Sequence, residues 1–370
     1  MLKDYLHKIK LCASCPKMCR FACPVAEVEK KERVTPWGKS LTALLVLEGK
    51  LSYDDPDVVD TFYSCCMCKN CKSYCLVDDV DIPAMIQAGR EEIVAAEKET
   101  EAVTEFLANF KKFNNPFGKE LKLPPHPSLS PEGRGLGRGV LKEKGGETNV
   151  LYFAGCSTLL DKDILNSTIN LLDKAGQGHS ILSDCCGFPL WASGYTKDAK
   201  DIINKFKEAI LSSGVKKIIT SCPACTYMLK SIYPILGFSI SAEVLHITQF
   251  MENLIKDGKL HLNKKSDIDT VYHDPCFLGR YLNIYDAPRS ILGHIITLRE
   301  PIKTREYNNC CGAGLYHFRS KTAKKVTEIA VENIKQTKAE QMITACPTCK
   351  RIFSEALKDK VIVKDFTEAI

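Results

Sequence analysis

The sequence has no apolar run near the ~20 residues that a membrane-spanning helix requires; stretches such as Ala43–Leu47 are far shorter. Its first residues, with Asp4 and His7 and no apolar core, do not read as a secretory leader. An unaided membrane protein and a secreted one are therefore set aside. Charge excess is small: 51 Lys and Arg against 45 Asp and Glu give +6. Eight basic and four acidic residues within 111–150 account for +4 of it. No basic stripe lies on a folded element, so nucleic acid is not an expected partner. No G-x-G-x-x-G follows a strand pattern, so a flavin, if one is used, belongs to another protein. The remaining composition, 45% hydrophobic and 26% charged, is that of an ordinary globular chain. At roughly 100–200 residues per domain, 370 residues suggest two or three domains.

What the chain does have is 19 cysteines. An odd number cannot pair completely, and a chain without an export signal is expected in a reducing cytosol, where disulfides are rare. That many free thiols would be an oxidation hazard unless metal held them as thiolates. Their spacing is ordered. Nine lie within 1–110, in two runs. The other ten form one pattern twice. The first copy is Cys156, Cys185-Cys186, then Cys222-x2-Cys225; the second is Cys276, Cys310-Cys311, then Cys346-x2-Cys349. Matched positions lie 120 to 125 residues apart, and the flanks repeat as well. Asp184-Cys-Cys-Gly187 matches Asn309-Cys-Cys-Gly312, and Val244–Phe250 parallels Val361–Thr367.

Each copy alternates strands and helices. Val150–Ala154, Val215–Thr220, Thr270–His273 and Met342–Thr344 read as strands ending just before cysteines. Ile202–Leu211 and Ala323–Ile334 read as amphipathic helices. The pattern implies mostly parallel sheets, with the cysteines beyond the carboxyl ends of the strands, where such sheets bind ligands. Residues 84–110 read as one long helix. Between Pro116 and Gly146, five prolines and seven glycines in 31 residues erase any periodicity. The expected organisation is an α+β multidomain chain: a helical domain over 1–110, a disordered Pro/Gly-rich linker over 111–147, and α/β domains over 148–262 and 263–370. Pro127–Gly139 reads as an inserted low-complexity segment.

The first run is Cys12-x2-Cys15-x3-Cys19-x3-Cys23, the second Cys65-x2-Cys68-x2-Cys71-x3-Cys75. The second has the ferredoxin spacing, in which three thiolates wrap one cube and the fourth serves the partner cluster. This assigns Cys12, Cys15, Cys19 and Cys75 to one [4Fe–4S] cluster, and Cys65, Cys68, Cys71 and Cys23 to another. Zinc would prefer ligands as two CxxC pairs. Cys66 is left over. The helical sequence between the runs, Gly38–Leu47 among it, suggests an α-helical ferredoxin rather than the β-hairpin type. In the repeats, adjacent cysteines can serve one centre only across a sharp turn, which Gly187 and Gly312 permit. Five thiolates exceed what a single cube needs.

Taken with the flanking His273-Asp-Pro-Cys276-x2-Gly279-Arg280 and Pro288-Arg289, the pattern resembles the CCG-domain iron–sulfur proteins. These include the B and D subunits of heterodisulfide reductase, the glycolate oxidase iron–sulfur subunit and the C subunit of anaerobic glycerol-3-phosphate dehydrogenase. The fused arrangement is most similar to the D type of heterodisulfide reductase. The resemblance covers 10–110 and 148–370. It implies a noncubane [4Fe–4S] cluster on Cys156, Cys185, Cys186, Cys222 and Cys225, and another on Cys276, Cys310, Cys311, Cys346 and Cys349, with a disulfide substrate between them. It also implies partners: a flavoprotein subunit, a membrane cytochrome b subunit, or both, holding a cytoplasmic chain at a membrane.

Cys186 and Cys311, second in their pairs, are the candidate catalytic thiolates, and His273 is a candidate proton donor, weighed against a backbone-bonded strand-end histidine. Arg280 and Arg289 could bind a substrate carboxylate or form surface salt bridges. Lys17 and Arg20 read as solvated charge, Trp37 and Trp191 as core. Two functions compete: an enzyme that reduces a disulfide, and an electron wire between a flavoprotein dehydrogenase and a quinone or cytochrome.

Overall fold

The computed structural model describes all residues except 79, 124–128, 131–139, 144–148, 263–265 and 359. Residues 1–113 are helical among the described residues. Three of these helices begin the same way. Thr35 accepts from the amide of Gly38 ahead of Pro36–Leu47, Asp55 from Asp57 ahead of Pro56–Tyr63, and Asp81 from Ala84 ahead of Ile82–Ala95. In each a side-chain oxygen satisfies an orphan amide, and a proline in the first turn costs no hydrogen bond. The long helix expected over 84–110 is two helices, Ile82–Ala95 and Glu101–Phe113. Glu97 turns left-handed at φ 57°, and Thr100 restarts the chain in extended geometry. Apolar periodicity continued through the break, so the turn left no mark on it.

Among the described residues ten strands follow: β1 (Leu129–Ser130), β2 (Val140–Glu143), β3 (Val150–Gly155), β4 (His179–Asp184), β5 (Lys217–Thr220), β6 (Glu243–His246), β7 (Ser266–His273), β8 (Ile296–Arg299), β9 (Gln341–Thr344) and β10 (Ile362–Asp365). They form two sheets, β1-β2-β4-β3-β5-β6 and β8-β7-β9-β10. Within β4-β3-β5-β6 and β8-β7-β9-β10 every pairing is parallel, and the strand order is the same. The architecture is therefore α/β, with helices and strands alternating in both units, rather than α+β.

Alternate residues of β3 explain the layering. Leu151 and Phe153 pack with Phe62, Ile86 and Phe106 of the N-terminal helices. Tyr152 and Ala154 face the other way, into a core shared with Tyr272, Ile343 and Phe366 of the second sheet. Both faces are covered, so β3 is buried throughout.

The segment 111–147 is more structured at its ends than a linker reading suggests. The helix Glu101–Phe113 runs into it, Asn115 and Pro116 are buried, and Leu121 and Leu123 pack on the cores. β2 pairs antiparallel with β4, and β1 with β2. Most of Pro127–Gly139 lies outside the described residues. Among the described residues, no helix is long and apolar enough to cross a membrane.

Candidate functional site

The repeat cysteines lie where the strands deliver them. Cys156 opens the helix Cys156–Leu159 directly after β3, and Cys185 follows β4. Cys222 and Cys346 cap the helices Pro223–Tyr227 and Pro347–Leu357, two residues beyond β5 and β9. Cys310 departs from the pattern, since a loop separates it from β8. Gly187 and Gly312 take the left-handed turn expected of them, at φ 82° and 86°.

Nine of the ten repeat cysteines, all except Cys185, line a single cavity of about 150 Å3. Within the copies, Cys156 Sγ lies 3.6 Å from Cys185 Sγ, and Cys349 Sγ 3.4 Å from Cys311 Sγ. Between the copies, Cys222 and Cys346 share the cavity wall. Thr348 Oγ1 donates to Ser157 Oγ at 3.0 Å, and Lys350 meets Asp161 at 2.9 Å, so the two units are pinned face to face around the cavity. Aromatic and proline side chains complete the wall, among them Phe106, Phe117, Phe188, Phe277 and Phe318. Phe117 comes from the stretch read as linker, and nothing in its composition signalled that it would line a cavity.

The Cys-Cys pairs polarise in the same sense in both copies, whereas the matched Cys222 and Cys346 shift in opposite directions. Cys186 is held down at about 5, first by hydrogen bonding with Cys185 and then with Cys225. Cys311 lies well below the usual thiol range, first through Cys310 and then Cys349. The first cysteine of each pair is pushed up in exchange. Thiolate character thus falls on Cys186 and Cys311 and also on Cys222, which Cys225 and then Cys346 hold well below the usual range.

The N-terminal cysteines form two further groups. Cys23, Cys65, Cys68 and Cys71 ring a small void with Lys39. Cys12, Cys15, Cys19 and Cys75 lie close enough for charge on one to act on another, and burial pushes Cys12 up to about 11 and Cys19 to about 12. These are the two groupings expected from spacing. Among the described residues, no group of three or more His, Cys, Asp and Glu side chains closes around a single metal ion.

Two cations stand beside the thiols, Lys39 buried and Arg280 half-buried. Lys39 is 1% exposed, with Nζ 4.0 Å from Cys23 Sγ. Arg280 donates to the carbonyls of Cys68, Glu306 and Asn308, while its Nη2 is buried without a partner among the described residues and its charge acts on Cys68, Cys276 and Cys310. Neither cation has a carboxylate partner among the described residues. A buried cation without a counter-charge is costly, so both positions call for negative charge on the sulfurs beside them. Lys39 was not singled out from sequence, where it looks like any helical lysine.

Other residues sit elsewhere than expected. Arg289 is neither on the surface nor free for a ligand: it forks onto Asp274 at 2.7 and 2.8 Å and also holds Glu300. His273 lies behind Cys311, off the cavity wall. It is 1% exposed, its ring packs on Phe353, and Asn308 Nδ2 contacts Nδ1 at 3.0 Å. Burial lowers it to about 4, so it is neutral. Lys17 and Arg20 pair with Glu32 at the surface, as expected of solvated charge. Trp37 and Trp191 are half-buried at the core's margin rather than within it. Cys66, the leftover thiol, is buried and lines both the large cavity and the N-terminal void.

A model of the cysteine-rich domain family, CCG, matches residues 150–230 and 270–354. The chain is 33% identical over 239 residues to the D subunit of dihydromethanophenazine:CoB--CoM heterodisulfide reductase from Methanosarcina barkeri, covering 60% of this chain and 58% of that protein. It is 29% identical over 336 residues to "EtfAB:quinone oxidoreductase" of Syntrophomonas wolfei, covering 84% of this chain and 45% of that one. The chain thus spans about half the length of these relatives. A crystal structure of a hypothetical protein from Helicobacter pylori shares the fold, with a TM-score of 0.56 at 12% identity over 99% of this chain and 74% of that one. The two regions of matching topology that face each other across the cavity each match the cysteine-rich CCG domain.

Proposed function

We propose that this chain is an iron–sulfur oxidoreductase subunit that reduces a disulfide in the cavity between its two cysteine-rich domains. In this reading a ferredoxin domain over 1–110 holds two [4Fe–4S] clusters, one on Cys12, Cys15, Cys19 and Cys75, the other on Cys65, Cys68, Cys71 and Cys23. Two further clusters, of the noncubane kind, are held by Cys156, Cys185, Cys186, Cys222 and Cys225, and by Cys276, Cys310, Cys311, Cys346 and Cys349. The observation that carries the reading is the shared cavity, with nine repeat cysteines on its wall. The donors fit such groups: the thiols are all free, and Lys39 and Arg280 stand beside them as cations in need of negative charge.

Bound clusters would supply electrons singly. The overall reaction, R–S–S–R′ + 2e⁻ + 2H⁺ → RSH + R′SH, takes two of them, and two facing sites suit that stoichiometry. The chain's own residues shape the site. Phe188, Phe277 and Phe318 keep it apolar and exclude water. Gly187 and Gly312 set the turns that aim Cys186 and Cys311. We assign His273 to holding the Cys311 loop through Asn308, rather than to delivering a proton directly. Electrons would come from a flavoprotein subunit or a membrane cytochrome b subunit. The test is turnover of a panel of thiol-cofactor disulfides by the anaerobically loaded chain with reduced viologen as donor. Thiol release at two electrons per disulfide is expected, and no release with any member would overturn the reading.

A second reading, a wire from a flavoprotein to a quinone or cytochrome acceptor, is favoured by the similarity to EtfAB:quinone oxidoreductase over 84% of the chain. It expects electron passage without disulfide turnover.

A further inference from the structure

The cysteine that spacing left over has a distinctive position. Among the described residues, Cys66 lines both the large cavity and the void ringed by Cys23, Cys65, Cys68 and Cys71, and no other residue lines the two. It is 4% exposed, and it packs in one buried cluster with Cys68 and Cys310 and shares the cavity wall with Cys310. The backbone enforces this contact. A Cβ at Gly314 would lie 2.2 Å from the Cys66 carbonyl oxygen, so only glycine lets the loop after Cys310-Cys311 press against Cys66. Counting from the Cys-Cys pairs, the first domain has Pro189 at the matching place, and its own pair hydrogen-bonds within the domain, to Cys156 and Cys225. Arg280 adds a second tie, donating to the Cys68 carbonyl from the second domain.

We infer that Cys66 is not a cluster ligand but a positioning residue: it donates its S–H to Cys310 and thereby sets the potential at which the second cysteine-rich domain accepts electrons from the site on Cys23, Cys65, Cys68 and Cys71. The inference rests on the reading that these cysteines hold iron–sulfur clusters. Hydrogen bonds to cluster sulfurs raise the reduction potential, because the reduced cluster carries more negative charge and gains more from the donor. Cys66 is therefore what makes the second domain, and not the first, the acceptor next to the N-terminal pair of clusters.

The experiment is a redox titration followed by EPR on the full chain loaded anaerobically. In Cys66→Ala, iron content and the N-terminal signals should match the wild type, while the midpoint of one repeat cluster moves to lower potential. Cys66→Ser, which keeps a donor, should recover part of that shift. Cys66→Val, of similar volume and without a donor, keeps the test open should the alanine variant not fold, and should reproduce the full shift. Unchanged midpoints in the alanine or valine variant would overturn the inference. So would loss of one cluster's iron in all three variants, which would make Cys66 a ligand. Wild-type protein without iron at the repeats would instead overturn the underlying reading, and is detected before any variant is made. Disulfide turnover plays no part, so failure of the substrate assignment leaves this result intact.

Discussion

The two cysteine-rich domains share a strand order and a cysteine pattern, yet they meet the N-terminal helices by different means. The first is held through backbone. Buried Arg90 donates to the carbonyls of Phe62, Cys65 and Ala192, Tyr63 donates to the Ser193 carbonyl, and a Cβ at Gly194 would sit 2.4 Å from the Arg90 carbonyl oxygen. The second is held by ion pairs of Arg319 with Glu29 and Asp60 and by Tyr281 and Arg280 donating to the carbonyls of Met67 and Cys68, and in addition it packs Cys310 in one buried cluster with Cys66 and Cys68. A duplicated unit has thus kept one strand order while its contacts with the N-terminal helices diverged, the second bringing its Cys-Cys pair beside N-terminal thiols.

The largest effect expected from breaking this arrangement is at the paired cysteines. Cys186→Ser and Cys311→Ser should each abolish turnover, because each removes the thiolate at its glycine turn, while EPR of the dithionite-reduced N-terminal clusters stays as in the wild type. Turnover unchanged in both would leave only the N-terminal region at work.

The two arginines sharpen the comparison next. Arg90→Met strands three carbonyls, at about 1 kcal/mol or more each, so unfolding midpoints in denaturant should fall by the equivalent of roughly 3 kcal/mol, with any shift of potential confined to the N-terminal site that holds Cys65, on which its charge acts. Arg280→Met also strands three carbonyls, and in addition removes a cation beside Cys68, Cys276 and Cys310, so a shifted potential should accompany the lost stability. Equal redox behaviour in the two variants would erase the distinction between anchor and contact.

A smaller effect separates the domains by pH. At the end of β10, Asp365 caps the helix Phe366–Ala369, and burial raises it from 3.8 to about 7, with Oδ2 unpartnered. In the first domain the residue that ends β6 and caps the following helix is His246, and burial lowers it to about 4. Asp365 disfavours its charged form in the fold, so the fold is least penalised below 3.8 and loses stability as pH rises toward 7. Asp365→Asn keeps the cap and should stabilise the protein by on the order of 2 kcal/mol at pH 8, with no gain at pH 4. Neutral His246 works in the opposite sense: its contribution is lost as pH falls through 6.5 toward 4. Thermal unfolding of Asp365→Asn at both pH values checks this, and an equal shift at the two would contradict it.

Much of this was legible in the sequence, because it depends on local spacing. Strand runs that stop just before Cys156, Cys222, Cys276 and Cys346 place those residues at one sheet edge, and the glycines after each Cys-Cys pair announce the turn. The groupings of the N-terminal thiols follow from ferredoxin-type spacing, in which the fourth cysteine of each run crosses to the other. What could not be read depends on how distant faces pack. The contacts of Cys66 with Cys310 and of Cys222 with Cys346 span more than a hundred residues and arise from domain docking, which no interval encodes. Phe117 and β2 were hidden for another reason: proline and glycine counts describe local conformational freedom, and a segment poor in periodicity can still lend single residues to a wall or one strand to a sheet edge. Arg289 was misplaced because its partners, Asp274 and Glu300, converge only once β7 and β8 pair.

The central claim, that both cysteine-rich domains hold clusters facing one cavity, is tested most directly by metal analysis with Mössbauer spectroscopy on anaerobically purified protein. Four filled sites require roughly sixteen irons per chain, half of them outside the N-terminal pair of clusters. About eight irons, all in N-terminal cubanes, or zinc as the dominant metal, would contradict it.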